Sequence, residues 1–157
     1  MRQISIAILS LLMLATCGKS DAPEANMHKP SGPVITSNNI KDGTYCFSKL
    51  FNQDVTTVKL TIIGNAVSGK MDWIPYEKDS ARGTLQGTKN EAGELDLIYD
   101  YIIEGSQQTE TKIMRIEGGK LLLKVGELLD PKNDGNLVYK DVSQAAFSEV
   151  LEATSCK

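Results

Sequence analysis

The chain has 157 residues, with 17 basic and 20 acidic side chains and a formal net charge of −3 at pH 7. This mildly acidic balance argues against a nucleic-acid partner, which needs a clustered basic face, and against peripheral electrostatic attachment to a membrane. Its single histidine, His28, leaves a nucleophilic serine or cysteine without a base in the folded region. We therefore expect a non-enzymatic protein that uses no cofactor.

The first 17 residues have the pattern of a secretory signal. Arg2 precedes an apolar run over residues 4–14, which is much shorter than the ~20 apolar residues of a spanning helix. Residues 14–17 (LATC) resemble a bacterial lipobox, in which the cysteine is lipidated and becomes the new N-terminus. The sequence predicts a lipoprotein signal peptide over residues 1–16 and a lipid on Cys17. The alternative is an ordinary secreted protein in which this cysteine is a leftover thiol.

Residues 17–39 are expected to form the lipidated N-terminus and a flexible tether. They carry Pro23, Pro30 and Pro33 among polar residues and offer almost nothing apolar to bury. Several acyl chains on one cysteine hold a protein stably on a bilayer. Gly18 favours the outer membrane under the sorting rules of some Gram-negative bacteria. We expect a cell-envelope protein that is bound to the membrane through its N-terminal lipid, on the periplasmic face or at the cell surface.

Residues 40–157 have the size of one domain, and their patterning is β almost throughout. The clearest segment is 95–103, where residues alternate with the period of two that is typical of a half-buried strand. Gly64-Asn65 marks a tight hairpin turn between two such segments. Eight candidate strands follow in the order 44–48, 58–62, 67–73, 83–88, 95–103, 109–117, 120–125 and 137–140.

Eight short antiparallel strands would leave two exposed edges in a flat sheet, and closure into a barrel removes those edges. We therefore predict an all-β fold, an up-and-down barrel or curled half-barrel of the lipocalin-like kind, with a two-sheet sandwich as the alternative. For the last segment, Asp141 and Gln144 make a candidate capping pair. Apolar side chains over 142–152 then share one helical face. This pattern slightly favours a short C-terminal helix over a turn and a final strand.

Two cysteines remain once Cys17 is assigned to the lipid. An oxidising envelope makes a disulfide between Cys46 and Cys156 the default expectation, and two separate thiols are the alternative. Two cysteines without a nearby histidine cannot fill a four-coordinate zinc site, so no metal is expected.

Several short motifs are shared with a known group of proteins. Residues 42–47 (DGTYCF), 67–69 (VSG) and 76–79 (YEKD), followed by Gly83 and Gly87, resemble small lipoproteins of Bacteroidota-type bacteria. These motifs consist mainly of turn residues. The resemblance implies a location and a fold, and it carries no activity or functional residue with it.

Three aromatic residues are the candidate ligand-binding side chains. Trp73, Tyr99 and Tyr101 fall on the inward phases of their strands, and three glycines on neighbouring strands are expected to leave room beside them (Gly69, Gly83 and Gly87). Such rings suit a pocket for a small apolar or amphiphilic ligand, although ordinary core filling is the favoured interpretation. The second functional hypothesis is a protein-binding module, for example an inhibitor of an envelope or host enzyme, that acts through the loop 76–82.

Overall fold

The computed structural model describes residues 40–156, which fold into ten β-strands and one turn of 3-10 helix. The elements are β1 (Gly43–Phe51), β2 (Asp54–Ile63), β3 (Ala66–Ile74), β4 (Ala81–Lys89), β5 (Glu94–Ile103), β6 (Ser106–Glu117), β7 (Lys120–Val125), β8 (Leu128–Leu129), β9 (Asn136–Tyr139), the 3-10 turn (Val142–Gln144) and β10 (Ala146–Ala153). The predicted signal peptide (1–16), the lipidation site Cys17 and the tether (17–39) lie outside the described residues. Within 40–156, no helix has the length and apolar character needed to cross a membrane.

Eight of these strands close into an antiparallel barrel, as predicted. Strands β1 to β6 each pair with the next strand in sequence, and β10 pairs with both β7 and β1 to complete the ring. The β2–β3 connection is the expected tight turn, in which Gly64 takes a left-handed φ of 59°. A closed ring leaves none of its eight strands with an unpaired edge along its whole length.

The C-terminal segment closes the barrel as a strand, so the helix favoured over 142–152 is wrong. Only the 3-10 turn is helical, where the Asp141 carboxylate accepts a hydrogen bond from the Ser143 backbone N–H at 2.9 Å. Strand β10 then carries a β-bulge between Phe147 and Glu149. The bulge interrupts the period-two alternation, and the apolar residues consequently acquire a spacing that resembles a helical face.

The same strand brings the two cysteines together. Phe47 of β1 lies opposite Ala153 of β10, and Cys46 and Cys156 form a disulfide with their Cα atoms 5.3 Å apart. The predicted pairing is confirmed. The covalent link joins the chain end to the seam where the first and last barrel strands meet.

The predicted strand over 137–140 exists but does not belong to the barrel ring. It corresponds to β9, which pairs antiparallel with the two-residue β8 and in parallel with β6 at Thr109 and Glu110. Strand β6 needs this partner because β7 pairs only with its last four residues, from Met114 to Glu117. The β8–β9 hairpin therefore supplies β6 with a partner at these two residues, outside the segment that β7 pairs.

The barrel interior is apolar and filled at one end, which we call the packed end. Its side chains come from every barrel strand, and six of them have no exposed surface: Leu60, Ile62, Leu95, Met114, Leu121 and Leu151. Ile40, at the start of the described chain, packs against this core, and its carbonyl oxygen accepts a hydrogen bond from the Lys89 Nζ at 3.2 Å.

The three glycines do not leave free space beside the aromatic rings, contrary to the expectation. On β3, a Cβ atom on Gly69 would lie 2.1 Å from the carbonyl oxygen of Lys59, and the two glycines of β4 are equally crowded. A Cβ atom on Gly83 would lie 2.0 Å from the carbonyl oxygen of Asp100, and one on Gly87 would lie 2.0 Å from that of Asp96. The backbone of β5 occupies the volume that a side chain would fill. These glycines consequently permit a close approach of two strands where the barrel wall curves.

Candidate functional site

At the end opposite the packed end, the barrel interior opens into a cavity of about 290 Å³, which we call the cup. Its lining includes the three predicted aromatic residues, Trp73, Tyr99 and Tyr101, together with three charged residues, Glu110, Lys112 and Glu149. A larger depression of about 500 Å³ lies on the outer wall and includes Lys59, Lys70 and Gln86 in its lining. We place the candidate site in the cup, because the outer depression lies on the solvent face of the strands.

Two charged residues enter the cup because of the register between β5 and β6. Glu110 lies directly opposite Tyr99 and Lys112 directly opposite Leu97, and residues directly opposite one another project from the same face of a sheet. Since the β5 partners are buried in the core, the two charged side chains also point inward. They form an ion pair, with only 14% of the Glu110 side chain and 18% of the Lys112 side chain exposed.

A second ion pair crosses from β10 to β1 at the same end. The β-bulge sets Glu149 opposite Leu123, a core residue that is 2% exposed, so the Glu149 carboxylate faces inward. Its Oε1 lies 3.1 Å from the Lys49 Nζ. About a third of each of these two side chains is exposed. This pair therefore lies nearer to solvent than the Glu110–Lys112 pair.

The two tyrosines form a fixed wall of the cup. Their rings stack with centroids 4.5 Å apart and an interplanar angle of 11°. The Tyr99 hydroxyl donates to the Met71 carbonyl oxygen at 2.9 Å, and the Tyr101 hydroxyl donates to the Gln108 Oε1 at 2.9 Å. Both hydroxyls therefore have partners within the protein, and both rings are almost completely buried.

Burial also fixes the protonation state of these tyrosines. Desolvation, with a further contribution from the negative charge of Asp72, raises the pKa of Tyr99 well above its ordinary value of 10.0. Desolvation and the nearby Glu110 carboxylate raise the pKa of Tyr101. An ionised phenol in this wall would lose its hydration and would be repelled by nearby carboxylates, so the charged form is disfavoured. Both side chains are therefore neutral hydrogen-bond donors at neutral pH.

Trp73 differs from the tyrosines because 37% of its surface is exposed. It lies near the end of β3, opposite Thr56 of β2 and Ala81 of β4. Its neighbours leave part of the indole open to a molecule that enters the cup. The structure thus brings the three predicted aromatic residues together, with Tyr99 and Tyr101 also part of the core. Their role in binding stays a prediction.

A smaller cavity of about 140 Å³ lies between the barrel and the β8–β9 hairpin. Glu110, Lys112 and Glu149 line this cavity as well as the cup. Tyr139 of β9 forms part of its wall, and its hydroxyl donates to the Lys124 carbonyl oxygen at 2.7 Å. The three charged residues therefore stand between two spaces rather than within a solid core.

The charged residues of the cup were missed by the sequence analysis. For Glu110 and Lys112, a signal was present: in the predicted strand 109–117 they share the alternation phase of Met114 and Ile116, whose apolar side chains indicate the inward face. For Glu149 there was no such signal, because the bulge changes the phase within β10.

The segment 76–82 of the second hypothesis lies at the rim of the cup, where residues 76–80 belong to the β3–β4 connection and the last two residues already belong to β4. Tyr76, which is 52% exposed, donates its backbone N–H to the Asp54 Oδ1 at 2.8 Å, and this bond holds the loop against the start of β2. Leu50 and Phe51, at the neighbouring β1–β2 turn, are 72% and 62% exposed. The rim therefore carries several exposed apolar side chains.

Within residues 40–156, no group of three histidine, cysteine, aspartate or glutamate side chains is arranged to hold a metal ion. No protein-family model matches the chain, and neither a curated protein nor a solved structure matches it significantly.

Proposed function

We propose that this chain is a lipid-anchored protein of the bacterial cell envelope whose barrel binds a small ligand in the cup, without catalysing a reaction. The observation that carries the proposal is a cavity of about 290 Å³ inside the barrel, with the partly open Trp73 indole beside inward-facing charged side chains. An eight-stranded barrel has room for one small ligand. Apolar walls with a few convergent polar groups are typical of ligand sites.

The contrast between the two ends of the interior supports binding. The packed end shows that this chain can fill a barrel with leucine, isoleucine and methionine side chains. At the other end the chain places Glu110 and Lys112 in the interior instead. Partial burial of an ion pair seldom improves stability over an apolar filling. A role in recognition explains why charged residues occupy positions that an apolar core would otherwise use.

The anchoring part of the proposal rests on Cys17 and the pattern before it. The test is metabolic labelling with a radioactive fatty acid in a bacterial host. We expect label in the wild-type chain and none in a Cys17→Ser variant. An unlabelled wild-type chain that is nevertheless exported would refute the lipid anchor.

The binding part is tested with the fluorescence of Trp73, which is the only tryptophan in the chain. A panel of small amphiphiles is titrated into the exported protein, and binding is repeated by calorimetry. We expect saturable changes in emission for at least one compound. Ala81→Leu fills the cup opposite Trp73 and should abolish the response, whereas Ala66→Leu, at the exposed start of β3, should not. Equal responses in the two variants would place binding outside the cup.

The alternative function is protein binding through the rim. The exposed Leu50, Phe51 and Tyr76 favour it, since clustered exposed apolar side chains mark interaction surfaces. Envelope extracts are passed over the immobilised protein and over a variant with alanine at each position of the loop 76–82. Loss of a specific captured protein would support this function. Unchanged capture of every protein would exclude a role for the loop.

A further inference from the structure

The chemistry of the cup narrows the class of ligand, an inference that rests on the proposed function. We propose that the cup binds a small zwitterion with a flat apolar group, a molecule of the size and kind of a free aromatic amino acid. The juxtaposition that carries the proposal is a cavity of about 290 Å³ with charged side chains of both signs on one side and the partly open indole of Trp73 on the other.

The first step is the charge pattern of the wall. Glu110 and Glu149 offer carboxylates to the cavity, and Lys112 offers an ammonium group. Lys112 is paired with Glu110, and Glu149 is paired with Lys49 at 3.1 Å. The cup therefore contains both partners that a zwitterion needs, an acceptor for its ammonium group and a donor for its carboxylate.

A ligand that carries charge of only one sign fits this wall poorly. An organic cation would be attracted by Glu149 but would approach Lys112, and an organic anion would be attracted by Lys112 but would approach two carboxylates. Like charges brought together at a desolvated site disfavour binding. A zwitterion places an opposite charge against each group.

The third step concerns uncharged ligands. An apolar molecule in the cup would exclude water from the inward charged side chains without replacing the lost hydrogen bonds, and such desolvation is unfavourable. A zwitterion supplies replacement partners. Lys49, whose side chain is 34% exposed, can release Glu149 to the ligand and return its own ammonium group to water.

The volume of the cup and its exposed aromatic surface limit the size of the ligand and the shape of its apolar part. A volume of about 290 Å³ is at the small end for ligand sites, which span ~300–1,000 Å³. Tyr99 and Tyr101 are already stacked on each other, whereas the Trp73 indole is 37% exposed. A single flat ring in offset contact with this indole matches the remaining aromatic surface.

The experiment uses four compounds with the same phenyl ring and different charges. They are L-phenylalanine (zwitterion), phenethylamine (cation), 3-phenylpropionate (anion) and 2-phenylethanol (neutral). Each is titrated into the exported protein at pH 7, followed by Trp73 emission and by calorimetry. We expect the zwitterion to bind about ten-fold or more tightly than each analogue, since each omits at least one charged hydrogen bond.

Two variants identify which charge of the ligand each side chain meets. Lys112→Gln should weaken the zwitterion and the anion about ten-fold and leave the cation unchanged or stronger, and Glu149→Gln should weaken the zwitterion and the cation but not the anion. Glu152→Gln is the matched control for Glu149, because it lies three residues further along β10 in an ion pair with Lys120 whose side chains are at least half exposed. If Lys112→Gln does not fold, Lys112→Arg takes its place. This variant keeps the positive charge and should therefore keep the order of affinities of the four compounds.

The outcomes separate the ligand class from the proposed function. If 2-phenylethanol or an amphiphile binds as tightly as L-phenylalanine, the zwitterion is refuted and ligand binding stands. If the folded protein responds to none of the four compounds and to no amphiphile, the binding function itself is refuted. If all compounds bind but none depends on Lys112 or Glu149, the assignment of charges is wrong.

Discussion

The two ends of one barrel are built on different principles, although the same eight strands run through both. At the packed end the inward positions are apolar and fully buried, as at Leu60, Ile62 and Met114. At the cup the same strands carry Thr56, Tyr99 and Glu110 inward, around open volume. Hydrogen bonds and ion pairs there replace close packing.

This difference shows where the fold obtains its stability and where it accommodates function. Apolar burial contributes ~25 cal/mol per Å², and the packed end provides it through apolar side chains with little or no exposed surface. The cup gives up part of that burial for groups that recognise a ligand. Substitutions at each end can therefore separate the two roles.

Removal of the disulfide is expected to weaken both ends together. The Cys46→Ala/Cys156→Ala variant releases a link between residues 110 positions apart, and the chain-entropy model assigns such a loop roughly 4–5 kcal/mol. The seam depends on this link because β1 and β10 share only two paired positions. Urea unfolding measures the loss, with Trp73 emission for the cup and hydrogen exchange at Leu60 for the packed end. A lower unfolding midpoint from Trp73 emission with unchanged hydrogen exchange at Leu60 would contradict a single cooperative barrel.

Truncation at the packed end should cost far more than truncation at the cup. Leu60→Ala opens a void where the side chain has no exposed surface, and we expect a loss of roughly 2–5 kcal/mol in the free energy of unfolding. Trp73→Ala, at a position that is 37% exposed, should lose only about 1 kcal/mol. Urea unfolding followed by circular dichroism compares the two variants. Equal losses would mean that the cup is part of the packed core.

The fold and the order of the first seven barrel strands could be predicted from strand alternation, but the identity of the eighth barrel strand could not. The alternation over 95–103 matches β5 closely, whereas the segment 137–140 was counted as a barrel strand and β10 was not. The local sequence pattern does not indicate which strand edges lack a partner. Closure of the barrel requires a strand between β1 and β7, and for this reason residues 146–153 form a strand rather than a helix. The bulge in β10 conceals that strand by shifting its phase.

The aromatic part of the candidate site was predicted from the sequence, but its charged part was not. Trp73, Tyr99 and Tyr101 lie on clearly alternating strands, so their inward direction follows from the sequence. Lys49 and Glu149 are 100 residues apart, and their contact depends on closure of the barrel. Polar residues in a strand are ordinarily assigned to the solvent face. For Glu110 the shared phase with Met114 and Ile116 already argues against that assignment, and the register with β5 establishes the inward direction.

The Tyr99 hydroxyl should contribute about 1 kcal/mol and also make stability depend on alkaline pH. Tyr99→Phe removes the bond to the Met71 carbonyl oxygen, a net loss of ~0.5–1.5 kcal/mol at neutral pH. The folded state raises the pKa of Tyr99 above 10.0. The contribution of this neutral tyrosine to the free energy of unfolding is therefore fully present below pH 10. Above that pH the unfolded chain releases the proton first, so the free energy of unfolding falls as pH rises.

The measurement is urea unfolding at several values between pH 8 and pH 11. The Tyr99→Phe variant should lose stability less steeply above pH 10 than the wild-type protein, because one tyrosine with a raised pKa is gone. Tyr76→Phe, at an exposed rim position, is the control and should follow the wild-type slope. Identical slopes for all three proteins would show that Tyr99 ionises as readily when folded as when unfolded.

Replacement of the Glu110–Lys112 pair, the inner ion pair of the cup, should have the smallest effect on stability and the clearest effect on binding. Glu110→Gln/Lys112→Met replaces both members at positions where 14% and 18% of the side chains are exposed. Replacement of a whole pair by groups of similar volume is often neutral or stabilising, so we expect a change within about 1 kcal/mol in the free energy of unfolding.

The control is the exposed Lys120–Glu152 pair outside the cup. Its variant Lys120→Gln/Glu152→Gln should change stability equally little, because exposed pairs contribute ~0–1 kcal/mol. Only the inner variant should lose the preference for a zwitterion. If the inner variant instead lost more than about 3 kcal/mol of unfolding free energy, the pair would be holding the barrel together, and the division between a packed end and a binding end would fail.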